Sequence, residues 1–128
     1  MIELGARLAD HFNGGNLVWL SGDLGAGKTT LVKGILKALG HQGAVTSPTY
    51  TLVEPYQLNC GQVMHMDLYR LNDPLELENL GVRDFLGDSL CLVEWPDRGG
   101  VWMAHPDWHI HIEYQSPESR RVTLVKKG

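Results

Sequence analysis

Residues 22–29 read GDLGAGKT, with Gly22, four residues, then Gly27, Lys28 and Thr29. This is the spacing of a phosphate-binding P-loop, the Walker A pattern. Holding a phosphate requires backbone N–H groups that converge on one point. Gly25 and Gly27 permit loop conformations that a Cβ would obstruct. A helix starting near Lys28 adds its positive end and its unpaired N–H groups. Lys28 supplies a point charge for the β and γ phosphates of a nucleotide, and the Thr29 hydroxyl suits Mg²⁺. A Gly-rich turn that merely joins strand to helix is the plainer alternative. The strand before the loop and the helix after it are the context the motif requires.

A P-loop alone binds; metal and water need acids. VMHMDLY puts Asp67 after an apolar run, and LCLVEW puts Glu94 after another. In open α/β sheets the ligand sits at the carboxyl ends of the strands. Either acid could contact Mg²⁺ directly or through water, as a Walker B acid does. A carboxylate at a strand end is common by itself, but two beside a P-loop point to a role for at least one. Thr46 and Ser47 lie in the TSPT stretch after the P-loop helix, where many P-loop switches carry a hydroxyl. Taken alone, that stretch is only a polar turn.

Other residues carry less chemistry. His109 and His111 are spaced like the solvent face of a strand, which argues against a metal site shared with His105. Arg120, Arg121, Lys126 and Lys127 read as a solvated edge strand. Trp102 and Trp108 read as core, and Lys33 and Lys37 as the polar face of a helix.

The elements that must position the site follow from periodicity. Met1, Ile2, Leu4, Leu8, Ala9 and Phe12 mark an amphipathic helix, stopped by Asn13-Gly14-Gly15. Leu17–Leu20 is an apolar run typical of a buried strand. Leu31, Val32, Ile35, Leu36 and Leu39 form one helix face, with Gly40 as its C-cap. Residues 50–58 and 62–68 predict two strands around an Asn59-Cys60-Gly61 turn, the first an edge or bulged strand because of Pro55. Asp73-Pro74-Leu75-Glu76 starts a short helix that ends near Gly81. Residues 89–94 predict a buried strand, 95–107 an irregular segment, and 108–114 and 120–126 two alternating strands. No repeat or linker divides the chain, so residues 1–128 are read as one domain.

The bulk composition agrees. The 128 residues carry 43% apolar and 20% charged side chains and a formal net charge of -4. An acidic balance excludes broad electrostatic binding of nucleic acid, so no DNA role is expected and any RNA role is indirect or shared. Two cysteines without metal spacing, no run of about 20 apolar residues and no signal peptide predict a reduced cytoplasmic protein without a membrane span.

Four blocks, GDLGAGKTT, TSPTYTLVEPY, HMDLYRLNDPLELENLG and CLVEWPDR, occur in that order. Together they resemble the TsaE family, the small P-loop ATPases of bacterial tRNA threonylcarbamoyladenosine biosynthesis. The likeness runs from about Leu4 to Tyr114. It implies an α/β fold of the P-loop NTPase kind, a three-layer αβα sandwich around a mixed, mostly parallel sheet. It implies ATP and Mg²⁺, and the absence of an Asn-Lys-x-Asp motif favours ATP over GTP. It also implies a complex with the threonylcarbamoyl-transferase subunit (TsaD) and its paralogous partner (TsaB), which modify adenosine 37 of tRNAs reading codons that begin with adenine. By position, Gly25, Ala26, Gly27, Lys28, Thr29 and Thr30 would hold the phosphates, and Thr29 and Glu94 would bind Mg²⁺. Asp67 would orient water or the metal's surroundings, Thr46 and Ser47 would form the switch segment, and Trp95 would lie near the nucleotide. Two departures accompany the likeness: the place of a family threonine before the first helix falls at Met1, and the family's terminal extensions are expected to be short or absent.

Two rival readings use the same P-loop. A small-molecule kinase needs a substrate pocket and an Arg-rich lid, whereas the six arginines here are spread out and no lid-sized insertion is present. A nucleotide-gated binding module would bind without useful hydrolysis. No arginine is expected as an obvious finger in cis, although Arg70 and Arg98 follow the two acidic blocks.

Overall fold

A computed structural model describes residues 1–23, 25–45, 47–48, 51–103 and 105–127, with backbone only at 101 and 102. Its elements in chain order are α1 (Ile2–Ala9), β1 (Leu17–Gly22), α2 (Lys28–Ala38), β2 (Val53–Leu58) and β3 (Gly61–Asp67). There follow α3 (Leu75–Asn79), α4 (Val82–Phe85), β4 (Leu90–Glu94), a 3-10 helix (Pro96–Trp102), β5 (Trp108–Ser116) and β6 (Ser119–Lys126).

The six strands form one sheet in the order β2-β3-β4-β1-β5-β6. The four inner strands are parallel, and the edge strands β2 and β6 pair antiparallel with β3 and β5. Pro55 sits on edge strand β2, where its missing N–H costs no ladder bond. The inner strands are apolar because both their faces are covered. Every residue of β4 is buried.

Side-chain alternation divides the interior in two. Val18, Leu20, Val63, Leu90, Leu92, Ile110 and Ile112 pack with Leu31, Ile35 and Leu36 of α2 and Leu8 of α1. Leu17, Met64, Met66, Cys91 and Val93 point the other way and meet Leu77 of α3, Val82 of α4 and Met103. Burial pushes the Cys91 thiol up to about 12, so it packs as an inert apolar group. The architecture is the expected αβα sandwich with a mostly parallel sheet. Among the described residues, no helix is long and apolar enough to cross a membrane.

α1 and α2 approach closely at two glycines. A Cβ on Gly34 would lie 2.3 Å from the Ile2 carbonyl oxygen, and one on Gly5 would lie 2.5 Å from the Leu31 carbonyl oxygen. The P-loop helix is thus braced along its length by α1.

Three features differ from the sequence-based expectation. β2 begins at Val53, not at residue 50, because the chain first turns through Leu52 at φ +66°. Thr49, Tyr50 and the Trp102 side chain lie outside the described residues. α4 is a four-residue helix without a capping side chain, too short to leave a periodic signal. Finally, His109 is half-buried and not on a solvent face: its Nε2 lies 2.7 Å from Ser21 Oγ and its ring stacks 3.8 Å from that of His111.

Candidate functional site

The loop between β1 and α2 sits at the carboxyl end of β1, with β4 on one side and β5 on the other. Gly25 (φ +80°) and Gly27 (φ +108°) adopt left-handed backbone conformations that other residues reach only under strain. Gly27 is the N-cap of α2 and offers no side chain to its first N–H groups. Tyr114 of β5 donates its hydroxyl to the Gly25 carbonyl at 2.9 Å, tying the loop to the neighbouring strand. A Cβ on Gly27 would come within 3.2 Å of Met1 Cε, so Met1 lies against the loop.

A cleft of about 460 Å³ opens over this loop. Gly25, Gly27, Lys28, Thr29, Thr30 and Ser47 line one wall. The ends of β3 and β4 supply Asp67, Tyr69, Arg70, Glu94 and Trp95. Asp67 and Glu94 are register partners on adjacent parallel strands, and strand alternation turns both toward α2.

Each acid is held by specific donors. Glu94 is 2% exposed, and its two carboxylate oxygens accept from the Thr29 hydroxyl at 3.1 and 3.2 Å. Oε2 also accepts from His65 Nε2 at 2.6 Å. Asp67 Oδ1 accepts the Tyr69 N–H at 3.0 Å, and the Asp67 N–H donates to the Leu52 carbonyl. Burial raises the Asp67 carboxyl above the usual aspartate range, and the Glu94 charge adds to this; the Tyr69 N–H, His65 and Lys28 oppose it.

Lys28 is buried and donates from Nζ to the carbonyls of Gly22 at 2.6 Å and Asp23 at 3.0 Å. The same ammonium lies 4.4 Å from the centre of the Trp95 ring. Burial lowers the Lys28 pKa, against the pull of Glu94, Asp67 and Asp23. Trp95 adopts a left-handed backbone (φ +56°, ψ +52°), uncommon for a bulky residue. That conformation turns the chain sharply after Glu94 and lays the indole beside Lys28. Tyr69 packs on Trp95 at 5.0 Å, and Arg98 lies 5.5 Å over the Tyr69 ring.

Most residues expected from sequence therefore meet at one cleft. Ala26 does not: its side chain is 1% exposed in the core beneath the loop, and its N–H donates to the Asp23 carbonyl. Thr46 lies outside the described residues. Of the two arginines that follow the acidic blocks, Arg70 lines the cleft and Arg98 does not. Sequence reasoning also missed His65, Tyr69 and Tyr114. Asp67 shares the HMDLY stretch with His65 and Tyr69, so proximity to the acid was the available signal; Tyr114 left none.

The donor set here is oxygen-rich, with one hydroxyl and two carboxylates, and this suits a hard cation such as Mg²⁺. Among the described residues there is no cluster of three or more His, Cys, Asp or Glu that could cage a metal. A P-loop site needs none, because phosphate oxygens and water complete the coordination.

Comparison with known proteins bears on the family and the fold. The family model "Threonylcarbamoyl adenosine biosynthesis protein TsaE" matches residues 1–122. A TsaE protein of Haemophilus influenzae is 44% identical over 98% of this chain and 82% of its own length. Its counterpart in Streptomyces coelicolor is 49% identical over 100% of this chain and 91% of its own. The crystal structure of Bacillus subtilis YdiB superposes with a TM-score of 0.77 at 32% identity, covering 99% of this chain and 79% of that one. By sequence along nearly its whole length, and by fold, the chain belongs to the TsaE family.

Proposed function

We propose that this chain binds ATP with Mg²⁺ in the cleft and hydrolyses it, as the ATPase component of tRNA threonylcarbamoyladenosine formation. The observation that carries the reading is the Thr29–Glu94 contact: the hydroxyl of the P-loop and the acid ending β4 meet directly at the mouth of α2. The names of the relatives, tRNA threonylcarbamoyladenosine biosynthesis protein, give the pathway.

In this reading the N–H groups of the loop from Gly25 to Thr30 hold the phosphates, and Lys28 exchanges its two carbonyl partners for phosphate oxygens. Thr29 and Glu94 would hold Mg²⁺, with Asp67 beside them positioning water or the metal's own water ligands. When bound, Mg²⁺ would neutralise charge that develops on the phosphates. Ser47 and Thr46 would follow the γ-phosphate, and Trp95 would cover the site next to Lys28. The whole chain would act as one P-loop domain in the cytoplasm, with the transferase subunit and its paralogous partner, and would touch tRNA only through them.

Calorimetry with ATP tests the binding half. Lys28→Ala removes a charge-assisted contact worth about 1.5–3 kcal/mol. The expected result is a folded variant with roughly 10- to 100-fold weaker ATP binding. Unchanged affinity in the folded variant would refute phosphate binding by this loop.

A further inference from the structure

The reaction geometry assigned to Glu94 has an unexplained support. His65 is completely buried on β3, two residues before Asp67 and opposite Leu92 of β4 in the sheet register. It does not line the cleft. Its Nε2 reaches Glu94 Oε2 at 2.6 Å from the protein side, while Thr29 approaches the same carboxylate from α2. His65 Nδ1 is buried and has no hydrogen-bond partner among the described residues.

That last point separates two explanations. A histidine kept only for packing would have both nitrogens satisfied, or would be replaced by an apolar side chain at no loss, because an unpaired buried polar atom is costly. Among the described residues, that nitrogen stays unpaired and the contact that His65 makes is the one to Glu94. Since a carboxylate oxygen only accepts, His65 Nε2 is the donor in this contact. The Glu94 carboxylate is almost fully buried, and a buried carboxylate needs donors to stay in one orientation. Thr29 alone cannot supply this if its hydroxyl oxygen also serves a metal.

We propose that His65 is a positioning residue for the metal side of the site. It holds Glu94 Oε2 from the β3 side and so fixes the orientation in which both carboxylate oxygens face Thr29 and the cation. The inference rests on the reading of Glu94 as the metal-side acid. Residues that orient a metal ligand typically change metal affinity by about 10- to 100-fold when removed.

The test uses Mn²⁺ as a paramagnetic probe, titrated into the full chain with bound nucleotide and followed by electron paramagnetic resonance. Nucleotide affinity is measured in parallel in excess chelator. His65→Leu should weaken Mn²⁺ binding about 10- to 100-fold and change metal-free nucleotide affinity less than about 2-fold. His65→Gln puts an amide N–H where Nε2 stands and should stay within about 3-fold of wild type in Mn²⁺ affinity. His65→Asn is one carbon too short to reach Glu94 and should behave like His65→Leu. The Gln–Asn contrast decides the matter even if the Leu variant does not fold. Equal Mn²⁺ affinity in the Gln and Asn variants overturns the proposal, as does an equal loss of metal-free nucleotide binding. Glu94→Gln separates the two layers. If it loses Mn²⁺ affinity while His65→Leu and His65→Asn do not, only the role of His65 falls. If Glu94→Gln binds Mn²⁺ like wild type, the reading of Glu94 falls as well.

Discussion

Asp67 and Glu94 end neighbouring parallel strands, but their surroundings differ. Glu94 accepts from the side chains of Thr29 and His65, whereas Asp67 accepts from the Tyr69 N–H and faces a like charge across the ladder. The neutral amides Asp67→Asn and Glu94→Gln should therefore keep most nucleotide affinity, since the loop and Lys28 remain, and should lose Mg²⁺-dependent hydrolysis. Titration with a nucleotide, run beside a phosphate-release assay, reads both. Asp67→Asn has a second expected effect, on stability. The folded carboxyl is raised above its ordinary value of 3.8, so keeping it ionised at neutral pH costs the native state free energy. The sign follows: wild type loses stability relative to Asp67→Asn as pH rises through the folded pKa, and the gap closes below 3.8, where both folded and unfolded carboxyls are protonated. Thermal melts of the ligand-free pair from pH 3 to 8 check it; a variant less stable than wild type at pH 7 would contradict the assignment of burial and Glu94 as the cause.

Elements carry two further predictions. α2 presents the P-loop and is held against α1 at Gly34. Gly34→Ala improves helix propensity by about 1 kcal/mol, yet its Cβ would stand 2.3 Å from the backbone oxygen of Ile2, which no rotamer change can relieve. The clash wins: overpacking costs about 1–3 kcal/mol or more. Tm should fall by several degrees, and a rise would show that the helices separate freely. On β5, burial, with help from His111 and Lys127, lowers the His109 pKa from 6.5 to about 4. His109 is thus neutral when folded and more easily protonated when unfolded. Its contribution is complete above pH 6.5 and is lost as pH falls toward about 4. His109→Gln should flatten the stability profile across that window in a denaturant titration series; a slope equal to wild type would assign the acid sensitivity elsewhere.

The same elements mark how far the chain could be read from its residues. The P-loop, Asp67 and Glu94 were legible because strand, loop and helix are consecutive there and the chemistry demands fixed types. The His65 contact was not, because it depends on β4 inserting between β3 and β1, a sheet order that local periodicity does not encode. The same holds for His109, whose alternation reads as solvent-facing until Ser21 of β1 is known to lie beside it. Tyr114 reaches Gly25 across 89 residues of chain.

At the scale of the whole molecule, the described lining of the cleft comes from the P-loop, Ser47 and the ends of β3 and β4, along one rim of one sheet. Fast phosphoryl chemistry usually requires cover that excludes water from the γ-phosphate. Arg70 stands in the cleft, and Trp95 and Tyr69 form a partial wall. A stimulating partner would complete the cover or add charge, and arginine supplied in trans is worth about 10³ to 10⁵ in rate in related P-loop systems. The most direct measurement is phosphate release at saturating ATP and Mg²⁺, by wild type and by Glu94→Gln, with and without the transferase subunit and its paralogous partner. We expect slow release from the isolated chain, a large increase with the pair, and loss of both in Glu94→Gln. Fast release unaffected by the pair, or wild-type rates from Glu94→Gln, would contradict this account.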